Sequence, residues 1–430
     1  MAREDQYRDR SVLIHGKFKS EKWDFRYHIT PPITTAVAFR LGSAARGAQG
    51  FSQFANPDVD RGTAPPIYIY DRMDEPCSGL LEETLAFAEK GECAVCYGTG
   101  MAAISAAIGV HVKSGEHLCY HPAIYGATYS YIVKWLDRFG VSSTAVSFED
   151  MQALGDAVKP ETRVLFFETP CNPTMELIDL AAVAEFAEKI NADRPPESRL
   201  VTIIDNTFAS PSGQRPLPFG IDFSIHSLTK HISGFGATMG GVVVGPRSKE
   251  TDLLQCRSLL GGSISPDAAW HILTYGVPSL AMRLEKQQEI AQVVAEALES
   301  HPKVAKVFYP GLDSFEQKDL ARRQMLDFDG NFAPGSMIYF VLAGDYEQSY
   351  KSAVIVSDYI ADNALSVTLA VSLGQIRTLM EHPASMTHSS IPPEEQVSAG
   401  ILPGGIRLSV GIEDVNDIVR DLTEALDSLD

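Results

Sequence analysis

Hydrophobic and polar positions along this chain fall into two textures. Up to residue 73 they show little periodicity. Pro31-Pro32 and Pro65-Pro66 bracket a stretch rich in Gly, Ala and Ser, which reads as an extended arm. From residue 74 short apolar runs alternate with stretches at helical spacing. The pattern predicts helices over 80–89, 101–112, 125–139 and 180–190. Strands are predicted over 94–97, 117–120, 144–147, 163–168, 200–204, 223–226 and 241–245. Strands alternating with helices predict an α/β domain with a largely parallel sheet. A long amphipathic helix over 284–298, a strand over 336–342 and a last helix over 414–429 predict a smaller α+β domain. The segment 380–399 holds Pro383, Pro392 and Pro393 without clear periodicity and reads as a surface loop. The resulting division is an arm over 1–73, an α/β domain over 74–284 and an α+β domain over 285–430.

Composition narrows the class. A chain of 430 residues with 45% hydrophobic and 21% charged positions is an ordinary globular one with more than a single core. Its apolar stretches of about ten residues are too short to span a bilayer. The charged first residues lack the apolar core of a secretory signal. The formal charge of -19 argues against nucleic acid and anionic membranes as partners. Six cysteines without a secretory signal point to reduced thiols in a cytoplasm.

Chemistry is expected where strands end, at the carboxyl edge of the sheet. Gly98-Thr99-Gly100-Met101 opens a helix after the first strand and offers free N–H groups to an anion; by itself such a sequence is more often a plain turn. Asp205-Asn206-Thr207 follows an apolar strand and places a carboxylate there; alone, Asp205 reads more readily as a cap or turn residue. Ser227-Leu228-Thr229-Lys230 sets a lysine just past another strand, between two hydroxyls and a glycine-rich loop. Carbonyl-directed lysine chemistry needs an amine whose pKa is lowered by burial or a nearby cation. An enzyme using pyridoxal 5′-phosphate (PLP) needs that lysine, an acid for the pyridine nitrogen, a phosphate cradle and an aromatic plate. Lys230, Asp205, the set Gly100, Ser227 and Thr229, and Tyr125 supply all four.

From about Tyr70 to its end the chain resembles the Cys/Met-metabolism family of PLP enzymes, the γ-subgroup of fold-type I. The resemblance rests on Tyr70-Asp71-Arg72, Gly98-Thr99-Gly100-Met101, Tyr125-Gly126, Glu168-Thr169-Pro170-Cys171-Asn172-Pro173 and Asp205-Asn206-Thr207. It continues through Ser227-Leu228-Thr229-Lys230, the stretch from His382 to Ser389, and Gly405-Ile406-Arg407-Leu408-Ser409-Val410-Gly411. It implies a large, mostly parallel seven-stranded sheet domain with an N-terminal arm and a smaller α+β domain. It implies Lys230 as the residue that binds the cofactor covalently and then shuttles protons, and Tyr125 as ring cover and acid or base. Asp205, with Thr207 beside it, would hold the pyridine nitrogen. Gly100, Met101, Ser227 and Thr229 would hold the phosphate, and Asn172 the phenolic oxygen. Arg407 would clamp the α-carboxylate of an amino-acid substrate as a bidentate fork, with Ser372 nearby. Tyr70 and Arg72 would reach into a neighbouring subunit, which makes the enzyme a dimer at least and, as is usual in the family, a tetramer.

Departures from the family's patterns bear on the reaction. Ala127 follows the Tyr-Gly pair where methionine γ-lyases usually carry cysteine, and Arg257-Ser258 stands where they tend to carry Lys-Asp. Val371 stands where cystathionine γ-lyases often carry a glutamate for the distal ammonium; an unpaired buried ammonium is costly. These departures lead to an expectation of γ-replacement: sulfide displaces the ester of a homoserine, as in O-acetylhomoserine sulfhydrylases, giving homocysteine. The alternative is methionine γ-lyase-type elimination to 2-oxobutanoate, ammonia and a thiol, which the stretch 382–393 resembles more. A reading of another class is a PLP-binding scaffold without turnover, against which Lys230, Asp205, Tyr125 and Arg407 stand together. The segment 43–63 is longer than expected before Tyr70 and is a candidate for shaping the entrance.

No metal site is expected. Cys93 and Cys96 straddle an apolar strand with no second pair, and His382 and His388 lie six apart without a partner cluster. Cys171 is read as a packing residue near the cofactor, and 345–352 as a solvated face.

Overall fold

Strands buried on both faces need no polar alternation, and the short apolar runs of this chain behave accordingly. The computed structural model describes residues 7–16, 27–59 and 66–429. Seven strands build one sheet, all largely buried except the polar edge strand β3: β1 (Cys93–Tyr97), β2 (His117–Tyr120), β3 (Ser142–Ala145), β4 (Thr162–Glu168), β5 (Val201–Asp205), β6 (Phe223–Ser227) and β7 (Gly241–Gly245). Their order is β1-β7-β6-β5-β4-β2-β3. Pairing is parallel from β3 through β6, and β7 runs antiparallel to both β6 and β1. β1 therefore points the same way as β6, and the carboxyl ends of β1, β2, β4, β5 and β6 share one edge.

A second sheet of five strands has the order β10-β11-β12-β9-β8. It comprises β8 (Val304–Phe308), β9 (Met337–Leu342), β10 (Val367–Leu369), β11 (Thr378–Glu381) and β12 (Gly405–Ser409). All its pairs are antiparallel except β10 with β11. The helix Val277–Ser300 ties the sheets together. Its Val277 and Leu280 pack with Leu80 and Val244, while Ile290, Val294 and Leu298 pack with Phe340 and Leu408. Position 284, where the sequence divides the two domains, lies inside this helix. No described helix is long and apolar enough to cross a membrane.

Three expectations change. The helix expected over 125–139 is helical only over Gly126–Ser130, then widens into a π-turn over Tyr131–Trp135 and tightens over Leu136–Phe139. The run Tyr131-Ile132-Val133 is β-branched and aromatic and crowds a regular helix; the irregular turns still bury Ile132 and Leu136. The arm is not simply extended. It carries helices over Asp9–His15 and Ala44–Gln53, the second capped by Ser43 Oγ, which accepts the Arg46 N–H at 3.1 Å. Two glycines in that helix mask its propensity. The segment 380–399 begins in β11 and holds a helix over Pro393–Ser398, because proline in a first turn starts a helix rather than breaking it. Residues 60–63 of the candidate entrance segment lie outside the described residues.

Candidate active site

The shared edge gathers Glu168, Asp205 and Ser227 from the ends of β4, β5 and β6, with Thr229 and Lys230 just beyond. Lys230 is part-buried, and its Nζ donates to Ser372 Oγ at 2.8 Å. Burial, then the charge of Arg407, lowers this amine to about 8, against the opposing pull of Glu381 and Asp205. Asp205 Oδ1 accepts the Thr207 N–H at 3.0 Å, and Thr207 Oγ1 accepts the Ser227 N–H at 2.8 Å. Thr207 is thus a brace between two strand ends. Asp205 stands across from Glu168 in the β4–β5 register. Burial raises both carboxyls, and Asp205 raises Glu168 further.

The expected phosphate cradle is geometric. Thr99 caps the helix Gly100–Gly109 by accepting the Ala102 N–H at 3.1 Å. That leaves the N–H groups of Gly100 and Met101 without a backbone acceptor among the described residues. A Cβ on Gly100 would lie 2.9 Å from Ser227 Cβ and 3.1 Å from Ser227 Oγ, so only glycine lets the helix start meet that hydroxyl. Thr229 Oγ1 is engaged with Gly240, whose N–H reaches it at 3.2 Å.

The second sheet supplies the opposite wall. Arg407, in β12 and 3% exposed, donates from Nη1 to Asn172 Oδ1 at 2.9 Å and from Nη2 to the Ser372 carbonyl at 2.9 Å. Its Nη1 also pairs with Glu381 Oε1 at 2.9 Å. The Asn172 amide oxygen is thus bound to the arginine, which leaves its amide nitrogen for the phenolic oxygen it is expected to contact. Ser372 has a φ of 94°, a left-handed conformation that a serine adopts only when its surroundings hold it. Tyr125 starts the helix Gly126–Ser130, its N–H donating to Glu168 Oε1 at 2.8 Å, and is 37% exposed. Burial, then the Glu381 charge, raises its phenol.

Tyr70 and Arg72 stand apart. Arg72 donates to the Ser258 carbonyl at 2.5 Å, and neither residue bonds to the Lys230 cluster among the described residues. Arg257, beside Ser258, is buried against Glu82 and donates to the Met73 carbonyl at 2.7 Å. These two residues dock the turn after Tyr70. Two site groups escaped the sequence reading: Glu168, present in a motif but given no role, and Glu381. Both are acids on the last residue of a buried strand, the same signal that singled out Asp205.

His121, Cys171 and Glu176 approach one another closely. The His121 Nδ1 accepts the Ala123 N–H at 3.2 Å and lies 3.7 Å from Cys171 Sγ, whereas Nε2 lies 3.3 Å from Glu176. Thiol and carboxylate address different ring nitrogens. Cys93 and Cys96, three apart on β1, point to opposite faces and are both buried.

A family model for Cys/Met metabolism PLP-dependent enzymes matches residues 10–427. The chain belongs to that family. It is an enzyme of fold-type I that uses PLP and acts at the γ-carbon in sulfur amino-acid metabolism. An L-methionine gamma-lyase of Porphyromonas gingivalis is 40% identical over 403 residues, 93% of each chain. A cystathionine gamma-lyase of Bacillus subtilis is 34% identical over 84% of this chain and 89% of its own. Among solved structures, a putative O-acetylhomoserine (thiol)-lyase of Campylobacter jejuni superposes with a TM-score of 0.85 at 28% identity, covering 98% of this chain and 100% of that one. The cradle at Gly100, the lowered amine of Lys230 and the carboxylate of Asp205 fit PLP.

Proposed function

We propose that this enzyme eliminates the γ-substituent of methionine, releasing 2-oxobutanoate, ammonia and a thiol. The observation that carries this is the 40% identity with L-methionine gamma-lyase across 93% of both chains. It favours the elimination alternative over the replacement expected from Ala127 and Arg257-Ser258. The bonds of Arg257 and Ser258 run to Glu82, Met73 and Arg72 and not to the Lys230 cluster, so that departure says little about the leaving group. γ-Replacement on a homoserine ester stays the second reading. It is supported by Val371, apolar and 58% exposed beside Ser372, and by the likeness to the thiol-lyase structure. Membership of an enzyme family replaces the scaffold reading.

PLP, when bound, supplies an electron sink that makes protons at Cα and Cβ removable. The chain does the rest. Lys230 holds the cofactor and, once free, carries protons between those carbons; its lowered pKa suits both tasks. Arg407 grips the α-carboxylate, and Ser372 orients Lys230. Asp205 keeps a proton on the pyridine nitrogen. Tyr125 covers the ring and hands a proton to the departing sulfur. Gly100, Met101, Ser227 and Thr229 bind the phosphate, Thr207 braces that floor, and Asn172 fixes the Arg407 fork. Tyr70 and Arg72 serve a neighbouring copy, so the unit is a dimer at least and a tetramer by family habit. The exposed Leu259 and Leu260, beside the Ser258 that holds Arg72, support a covered face there. All six cysteines are unpaired, which suits a cytoplasm.

Methionine alone and O-acetylhomoserine with sulfide, assayed side by side, test the reading. Methionine should yield 2-oxobutanoate. Homocysteine from the second mixture with no 2-oxobutanoate from the first would hand the case to replacement.

A further inference from the structure

Glu381 closes β11, is 1% exposed, and faces Arg407 across the β11–β12 register. Its Oε1 forms an ion pair with Arg407 Nη1 at 2.9 Å and accepts from Thr387 Oγ1 at 2.8 Å. Its Oε2 is buried with no hydrogen-bond partner among the described residues. A buried acid with an idle oxygen on the residue assigned to grip substrate calls for a functional account.

The donors of Arg407 are nearly spoken for. Nη1 gives one hydrogen to Asn172 and stands in ion-pair contact with Glu381, and Nη2 gives one of its two to Ser372. The end-on fork that clamps a carboxylate is therefore closed while Glu381 and Asn172 both hold. An incoming carboxylate must either displace one of them or share the guanidinium with an anion already there. In a buried site, two carboxylates on one cation repel strongly. The same charge acts on Tyr125, whose phenol it raises, and on Lys230, whose depression it opposes.

We propose that Glu381 is a positioning residue that sets substrate affinity: an internal anion that keeps Arg407 paired when the site is empty and competes with the substrate's α-carboxylate when it fills. This rests on the reading of Arg407 as the carboxylate clamp. The consequence is a site that holds amino acids loosely and releases them readily.

The test uses holoenzyme and two ligands without a γ-leaving group, norleucine and its amide, titrated by the change in cofactor absorbance. Glu381→Gln keeps an acceptor for Arg407 and Thr387 but removes the charge. It should bind norleucine at least about tenfold more tightly, a change of about 1.4 kcal/mol, and hold the amide no tighter. In the Arg407→Ala background the same exchange should no longer favour the acid. Unchanged or weaker norleucine binding in Glu381→Gln overturns the proposal. If instead Arg407→Ala fails to separate acid from amide, the clamp reading itself fails, which is a different result. Should the Gln variant not fold, Glu381→Asp decides: it draws the charge back from Arg407, and norleucine must tighten or the competition does not exist.

Discussion

The two walls of the site are built by different physics. The floor belongs to the large sheet. It uses backbone N–H groups at Gly100 and Met101 and the hydroxyls of Ser227, Thr229 and Thr207, braced by short local bonds such as Thr207 to Asp205. The opposite wall belongs to the small sheet and is ionic: Arg407, Glu381 and the strained Ser372 are tied across the molecule to Asn172 and Lys230. A neutral cradle preorganised by backbone needs no adjustment to hold a cofactor that stays. An ionic wall of competing partners suits a substrate that must enter and leave. The floor should thus govern whether chemistry happens, and the wall how tightly the amino acid is held.

Lys230→Ala makes the largest break in this division. Its amine is the floor's one group proposed to form the covalent link and move protons, so turnover of methionine should fall by at least about 10³-fold. The absorbance of the cofactor-bound enzyme should lose its wild-type form as well. Wild-type rates of 2-oxobutanoate formation in this variant would end the assignment.

Arg407→Ala breaks the wall instead. Losing one partner of a buried pair costs about 2–5 kcal/mol, so KM should rise by roughly two orders of magnitude. Glu381, left without its cation, should also lower thermal stability. A fall in kcat with KM unchanged would show that Arg407 serves the chemical step and that the division between floor and wall is wrong.

That division also governs what the sequence could disclose. Gly100, Asp205, Ser227 and Lys230 each follow an apolar strand within a few residues. An α/β pattern read at strand ends therefore finds them, and the seven strands of the large sheet fall close to their expected places. Arg407 and Ser372 came from family resemblance, because nothing local marks them. Glu381 carries the strand-end signal of Asp205 but falls in a stretch that reads as a loop, and its meaning depends on the antiparallel register that sets it against Arg407. The Asn172 bond to Arg407 spans the two sheets, and no spacing rule reaches that far. The helix in 393–398 was lost because prolines at its start were read as breakers. Chemistry at single strand ends is legible; the pairings that the second sheet assembles are not.

The smallest effect sharpens the comparison through pH. Only the neutral amine can capture the cofactor, and Lys230 sits near 8 rather than at the ordinary lysine value of about 10.4. The neutral fraction therefore rises as pH climbs through 8, so covalent loading of the apoenzyme should quicken by about tenfold between pH 7 and pH 9 and then level off. Stopped-flow absorbance at saturating PLP measures this rate. A rate still climbing at pH 10 would mean that the amine is not depressed. The wall enters through its charges. Arg407 helps to lower this amine, so Arg407→Ala should move the midpoint upward; Glu381 opposes it, so Glu381→Gln should move it downward. Burial is the larger cause and stays in both variants, so neither shift should reach the free lysine value. Equal midpoints in all three proteins would mean that burial alone tunes the floor and that the wall acts on the substrate only.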